Sequence, residues 1–339
     1  MSIFTPLLAK ASSGAPLSTE EMRAAMDIML SGDASDIEIA GFLMALRARG
    51  ETVEELAAAV EGLRSKALKV DAPADAIDTC GTGGDGAGTH NISTVTAIIV
   101  AGCGVPVAKH GNKAATSKSG SSEVLAALGV KLDIPPAMIA RCISEAKVGF
   151  MFAALHHKAI GHAATARKAL GVRTIFNVLG PLANPAGAKR QLMGVFSRDL
   201  IRPVTEVMLQ LGIEAAWVVH GADGLDELTT TGATYVGALK NGVISEFEIT
   251  PEDAGLPRAT ITDLKGGDPT ANASAIRRLL NGERGPLRDI AVLNAAAALV
   301  ISQKAEDLNQ AARLAEASID QGKAKAALAG LIRISNSAL

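Results

Sequence analysis

The sequence predicts an α/β protein: a small all-helical domain, then a larger domain with a mostly parallel central sheet flanked by helices. Three observations predict it. The first 70 residues carry only helix signals, and beyond them short β-type runs alternate with helical segments. Between the first such run and an apolar helical segment stands a glycine-rich stretch, "DTCGTGGDGAGTHNIST" (78–94). Strand–helix alternation implies parallel strands covered by helices, and 339 residues suit two domains.

Taken in order, three capping boxes open the N-terminal helices: Ser18 with Glu21, Ser35 with Glu38, and Thr52 with Glu55. Apolar residues follow at helical spacing, as in Ile37, Phe42 with Leu43, and Leu46. "VDAPADAI" (70–77) reads as a linker bearing proline. "AIDTC" is the first strand, "STVTAIIVAG" a helix, "VPVAK" the second strand, and "SSEVLAAL" a helix. "PPAMIARCISEA" is a helix opened by proline, and "VGFMFA" is the third strand. A helix near 156–170 and a turn at "NVLGPLANPAG" (177–187) interrupt the alternation and are expected to return to the helical domain. Strands resume at "QLMGVF", "AAWVVH" and "TYVGAL", and four helices run from about 269 to the end. The expected division is a helical domain of 1–70 plus about 165–187, and an α/β domain of 71–164 and 188–339.

Composition narrows the function. With 33 basic and 35 acidic residues the net charge is -2, and only 3% of residues are aromatic. Neither nucleic acid nor a membrane surface is an expected partner. Cys80, Cys103 and Cys142 are odd in number and hold no metal spacing, which reads as reduced thiols in the cytoplasm. The N-terminus lacks the basic region of a signal peptide, and the longest apolar runs are too short to span a bilayer.

Gly81, Gly83 and Gly86 match the spacing of a dinucleotide fingerprint. That fingerprint also wants an acid about 20 residues on, to hold the ribose. The corresponding window, "AGCGVPVAKHGN", has no Asp or Glu, and Lys109 stands where the acid belongs. The five glycines between 81 and 88 could serve a plain strand-to-helix turn. Their number points instead to backbone amides laid open to an anion, with the next helix adding its own free N–H groups. A helix N-terminus offers only about half a charge, against about -1.5 to -2 on a terminal phosphate. Cations are therefore needed. "AKHGNKAATSKSGSS" (108–122) brings Lys109, Lys113 and Lys118 to the next strand end, and "HGADGLDELTTTG" (220–232) brings Asp223, Asp226 and Glu227 to another. Oxygen ligands of this kind suit magnesium; taken singly, such residues read as solvated surface or a helix start.

Together with "GFMFAALHHKAIGHAATARKALGVRTIFNVLGPLANPAG", these stretches resemble the anthranilate phosphoribosyltransferase family, in the right order and over most of the chain. The resemblance implies a homodimer formed through the helical parts. It implies 5-phosphoribosyl-1-pyrophosphate (PRPP) and anthranilate as small-molecule substrates, and magnesium, two ions per subunit. On the matching positions, Gly81, Gly84, Asp85 and Thr89 would line PRPP, and Asn91, Ile92, Ser93 and Thr94 would cradle phosphate. Lys109 would reach the pyrophosphate. The loop through His110, Gly111, Asn112, Lys113, Ala114, Ala115, Thr116 and Ser117 would close over the substrate, with Ser121 beside it. Ser93, Asp226 and Glu227 would hold metal, while Gly81, Asn112 and Arg167 would receive anthranilate, Arg167 at its carboxylate. His90 replaces an aromatic residue of the family pattern, and Ala154 and Thr165 replace prolines.

The implied reaction is displacement of pyrophosphate at the anomeric carbon through a transition state resembling an oxocarbenium ion. Lys109, Asp226 and Glu227 would act electrostatically and through metal. An aromatic amine is neutral at pH 7, so no general base is assigned. His156, His157 and His162 lack the i, i+4 spacing of a helical zinc pair and read as packing or cleft-lining groups. A pyrimidine-nucleoside phosphorylase would not need paired acids. A non-enzymatic, nucleic-acid-binding relative would show basic excess and loss of that pair.

Overall fold

The computed structural model describes residues 2–114 and 118–338. Four helices open the chain: α1 (Thr5–Ser12), α2 (Thr19–Ser31), α3 (Asp36–Arg49) and α4 (Val53–Ser65). The last three start at the capping boxes. The hydroxyls of Ser18, Ser35 and Thr52 accept the N–H of Glu21, Glu38 and Glu55, whose carboxylates accept the cap N–H in return, each cap being worth about 1 kcal/mol. Met22, Met26 and Met29 of α2 and Ile39, Phe42, Leu43 and Leu46 of α3 are buried. Ile37 departs from the expected pattern and is 85% exposed.

The second part runs β1 (Ile77–Gly81), α5 (Ile92–Gly102), β2 (Val107–Gly111), α6 (Ser121–Ala127), α7 (Pro136–Glu145) and β3 (Val148–Phe152). After it come α8 (Ala153–His156), α9 (Ala164–Leu170) and α10 (Phe176–Leu182). The chain then forms β4 (Arg190–Gly194), α11 (Ile201–Gln210), β5 (Ala215–Gly221), β6 (Thr234–Lys240) and β7 (Val243–Ile249). It closes with α12 (Pro269–Leu280), α13 (Pro286–Ile301), α14 (Leu308–Asp320) and α15 (Lys323–Ser335).

The expected helix near 156–170 is broken into α8, a 3-10 turn (Lys158–Ala163) and α9. None of the three has a side-chain cap, and Gly161 lies in the middle, so no local signal sustains one continuous helix. Where "NVLGPLANPAG" reads as a turn, residues 176–182 are helical, with Pro181 in the last turn. The 3-10 turn packs on α2, α9 on α3 and α10 on α4.

The sheet order is β3-β2-β1-β4-β5-β6-β7, parallel from β3 through β5 and antiparallel at β6 and β7. Strand residues alternate between two cores. Leu192, Val219 and Ala238 join the cluster containing α5 and α13, whereas Met193, Val218 and Leu239 join the one containing α2–α4 and α11, as the two-residue period of a strand requires. The helical layer and one face of the sheet thus share a continuous core. β7 was not expected from the sequence. No helix among the described residues is long and apolar enough to cross a membrane.

Candidate active site

β1 pairs with β2 on one side and β4 on the other, so the strand order turns there and a crevice opens outside the strand ends. The loop after β5 crosses this point. A Cβ at Gly194 would lie 1.6 Å from the Asp226 carbonyl oxygen, and one at Gly81 would lie 2.4 Å from Asp226 Oδ2. Gly194 admits only glycine because the Asp226 backbone is seated against the end of β4, and a side chain at Gly81 would displace the Asp226 carboxylate at the end of β1. Asn294 of α13 fixes the loop from behind: its Oδ1 accepts from Leu228 N (3.0 Å) and its Nδ2 donates to Leu228 O (2.9 Å). Asp223, expected among the metal ligands, is engaged within its own loop, where it accepts from the hydroxyls of Thr229 and Thr231.

The glycine loop hangs over this floor. Gly83, Gly84, Gly86 and Gly88 all have positive φ, which other residues adopt at a cost. Gly83 N donates to Asp226 Oδ2 (2.6 Å), and Thr82 N donates to Gly194 O (2.9 Å). Arg173 Nη2 donates to Gly84 O (3.0 Å), and Asp85 accepts from Ala87 N. At the far side Lys265 Nζ donates to Ala87 O, Gly266 N donates to Gly88 O, and Thr89 bridges to Lys265.

Asn91, Ile92, Ser93 and Thr94 form the start of α5, and Asn91 makes no side-chain cap. The first turn is closed by backbone instead: Ile92 N donates to His90 O (2.8 Å) and Thr94 N to Asn91 O (3.1 Å). Ile92 is buried with Leu225, Leu264 and Ile290, and the Thr94 hydroxyl is buried without a partner among the described residues. Asn91 instead holds the neighbouring loop, donating to Ser119 O and accepting from the Ser119 hydroxyl and Asn272 Nδ2, each at 3.0 Å. Glu227 Oε1 accepts from Ser93 N (3.0 Å), so the acidic pair clamps both the glycine loop and α5.

Lys109 is 2% exposed beneath this point and donates to Thr79 O and Ser93 Oγ (3.2 Å). Burial lowers its pKa, opposed by the Asp78 carboxylate. Asp78 is itself fully buried and accepts from His110 N (3.1 Å) and Asn184 Nδ2 (2.8 Å). The Lys109 ammonium is thus held behind Ser93 by its contacts with Thr79 O and Ser93 Oγ. Gly111 is packed against Ser121 and Phe150; Asn112 and Lys113 are exposed, and Ala114 N donates to Glu123. The Ser121 hydroxyl donates to Asn112 O (3.2 Å). Ala115, Thr116 and Ser117 lie outside the described residues.

Burial pushes Asp226 up to about 7, with the nearby Asp85 carboxylate adding to it. Burial and then Asp226 raise Glu227 well above the usual carboxylate range. A divalent cation relieves such crowding. Ser93 Oγ and the two carboxylates are hard oxygen donors of the type magnesium takes, so the residues present fit that ion. No group of three or more His, Cys, Asp or Glu among the described residues makes a metal site unaided.

The rings of His110 and His157 lie 5.1 Å apart. Burial pulls His110 well down, helped by His157, and takes His157 to about 4. Both are neutral at pH 7. His156 tethers the linker instead, its Nδ1 lying 2.6 Å from Leu68 O. Arg167 lies on α9, stacked on Phe176 at 4.9 Å, with its pKa lowered by burial. Among the described residues it forms no salt bridge. Asp78, Arg173, Asn184, Asn272 and Asn294 support the site without having been singled out in the sequence.

Comparison with known proteins follows the same lines. A model of the glycosyl transferase family a/b domain matches residues 73–325, and one of the family's helical bundle domain matches residues 5–67. The anthranilate phosphoribosyltransferase of Agrobacterium fabrum is 57% identical over 338 residues, covering 100% of this chain and 98% of that protein. The crystal structure of the Thermus thermophilus enzyme of that name superposes with a TM-score of 0.93 at 40% identity, over 98% of this chain and 99% of that one. The Saccharomyces cerevisiae enzyme in complex with PRPP and Mg gives 0.91 at 28% identity, over 99% and 98%.

Proposed function

The chain belongs to the anthranilate phosphoribosyltransferase family, and we infer that it moves the 5-phosphoribosyl group of PRPP to the amine of anthranilate, releasing pyrophosphate in tryptophan biosynthesis. It is a magnesium-dependent pentosyltransferase. One observation carries the assignment of roles: Asp226, seated on Gly81 and Gly194 at the sheet's turning point, holds the glycine loop, and the adjacent Glu227 holds the start of α5. A nucleoside phosphorylase would not need that acidic clamp.

In this reading Gly81, Gly84, Asp85 and Thr89 present backbone and side-chain groups to the phosphoribosyl pyrophosphate, and Asn91–Thr94 cradle phosphate at the positive end of α5. The loop from His110 to Ser117, with Ser121, covers the ligand. Lys109 supplies a buried positive charge beneath the leaving group. Ser93, Asp226 and Glu227 would hold magnesium, two ions per subunit, which supplies Lewis-acid neutralisation of charge growing on pyrophosphate. Gly81, Asn112 and Arg167 would receive anthranilate. The acceptor amine needs no prior deprotonation, so neutral His110 and His157 serve as walls of its path.

Adding PRPP and magnesium to the purified protein should extinguish anthranilate fluorescence. An unchanged signal, together with phosphate-dependent cleavage of a nucleoside, would overturn the assignment. A planar guanidinium partly removed from water reads a carboxylate through two hydrogen bonds. Arg167→Ala is therefore expected to raise KM for anthranilate about tenfold or more and to leave KM for PRPP within about twofold. Equal losses for both substrates would take Arg167 out of the acceptor site.

The assembly proposed is a homodimer through the helical layer, which would form one domain with residues 165–187. Ile3 is 68% exposed and Ile37 of α3 85%, with Met44 also open on α3, an unusual set of apolar side chains to leave in water. Ile37→Glu should shift the particle from dimer to monomer in sedimentation at micromolar concentration. An unaltered dimer would place the interface elsewhere. Three cysteines without a disulfide suit the cytoplasm.

A further inference from the structure

The glycine loop has a weakness that its sequence makes plain. Gly83, Gly84, Gly86 and Gly88 give it no preferred backbone shape, yet a binding loop must keep its amides aimed. Its near end is held by Asp226 and the end of β4, and its far end by Lys265 and Gly266. At the apex, Gly84 to Gly86, Arg173 Nη2 donates to Gly84 O from outside the loop, at 3.0 Å, and the Asp85 carboxyl lies against Asp226.

Arg173 is itself anchored on both sides. Its guanidinium stacks on the Phe196 ring at 4.2 Å, just beyond β4, and Phe196 N donates to the Thr82 hydroxyl of the same loop. Its backbone carbonyl accepts from Arg47 Nη1 of α3 at 2.6 Å. It lies between α9, which carries Arg167, and α10.

We propose that Arg173 is a positioning residue for phosphoribosyl transfer: it holds the apex of the glycine loop in its binding shape and ties it to the helical layer. This rests on the reading of the loop as the PRPP site. Arg173 acts through Gly84, and the planar guanidinium matters because it stacks on Phe196 while donating in its own plane.

The test compares Arg173→Ala and Arg173→Lys with the unaltered full-length enzyme. Arg173→Ala should raise KM for PRPP about tenfold, the scale of one hydrogen bond from a charged group, with KM for anthranilate within about twofold. In the ligand-free protein its amides at Gly83–Gly88 should exchange hydrogen several-fold faster, while the melting temperature stays within about a degree. Arg173→Lys keeps a cation over Phe196 but lacks the fork, and should recover part of the loss. Unchanged exchange with a raised KM would make Arg173 a direct ligand and overturn the proposal, as would a general fall in melting temperature or no change in either quantity. Because exchange is read without substrate, that arm stands or falls separately from the assigned reaction, which the unaltered enzyme's own activity decides.

Discussion

The double variant Asp226→Asn, Glu227→Gln is expected to fold and to lose about 10³-fold or more in kcat/KM, the scale of removing a preorganised electrostatic group. Both replacements keep an oxygen for the backbone donors they now serve, Gly83 N and Ser93 N, so the loops should remain seated. What disappears is the negative charge that would hold magnesium against the leaving pyrophosphate. The same change should stabilise the metal-free protein at alkaline pH. Asp226 binds its proton more tightly folded, at about 7, than at its ordinary 3.8. Stability therefore falls as pH rises between those values, and the neutral variant lacks that penalty. Steady-state kinetics at saturating magnesium, beside thermal melts at pH 6 and 8 without metal, would check both halves. A loss below about tenfold in kcat/KM would remove the acidic pair from the chemistry. Lower stability at pH 8 would mean that the clamp is mainly structural.

That opposition of stability and activity bears on what could be read from the sequence. The capping boxes are local, and all three form as written. The strand–helix alternation is also local, and it led to the sheet and to the loops at its edge. β7 escaped because an exposed edge strand, "VISEFEI", shows no clean buried face, with Val243 and Phe247 open to solvent. The signal was present one step earlier: Asn241 and Gly242 both take positive φ, as the tight turn of a hairpin demands.

The site divides in the same way. The residues expected to meet substrate announce themselves by type, because glycine, lysine and acid are costly choices at strand ends. Those that position them do not. Asp78 needs Asn184, Arg173 needs Gly84 and Phe196, and Asn294 needs Leu228. Each partner is distant in the chain, so an arginine in "GVRT" or an asparagine in "AVLNAAAALV" reads as ordinary until the fold brings its partner to it. Lys109 shows the converse: its type stands out in the sequence, but its burial behind Ser93 does not.

Gly194→Ala should be the most damaging single methyl group in the molecule. Gly194 ends β4 and does not take a positive φ, so the demand for glycine there is one of space. A Cβ would stand 1.6 Å from the carbonyl oxygen of Asp226 and 2.3 Å from its carbonyl carbon, and backbone cannot turn aside as a side chain can. The loop has little freedom to retreat, since Gly83, Asn294 and Thr234 each hold it by hydrogen bonds. Overpacking of this kind costs about 1–3 kcal/mol of stability. Moving the Asp226 carboxylate by about 1 Å would cost about 10²-fold in rate. Gly232→Ala is the control, because Gly232 lies in the same connection, has no positive φ, and would place its new methyl with nothing within 4 Å; kcat/KM of that variant should stay within about twofold. Should Gly194→Ala match that control in kcat/KM and melting temperature, Asp226 would not be seated on the end of β4, and the acidic clamp would lose its physical basis.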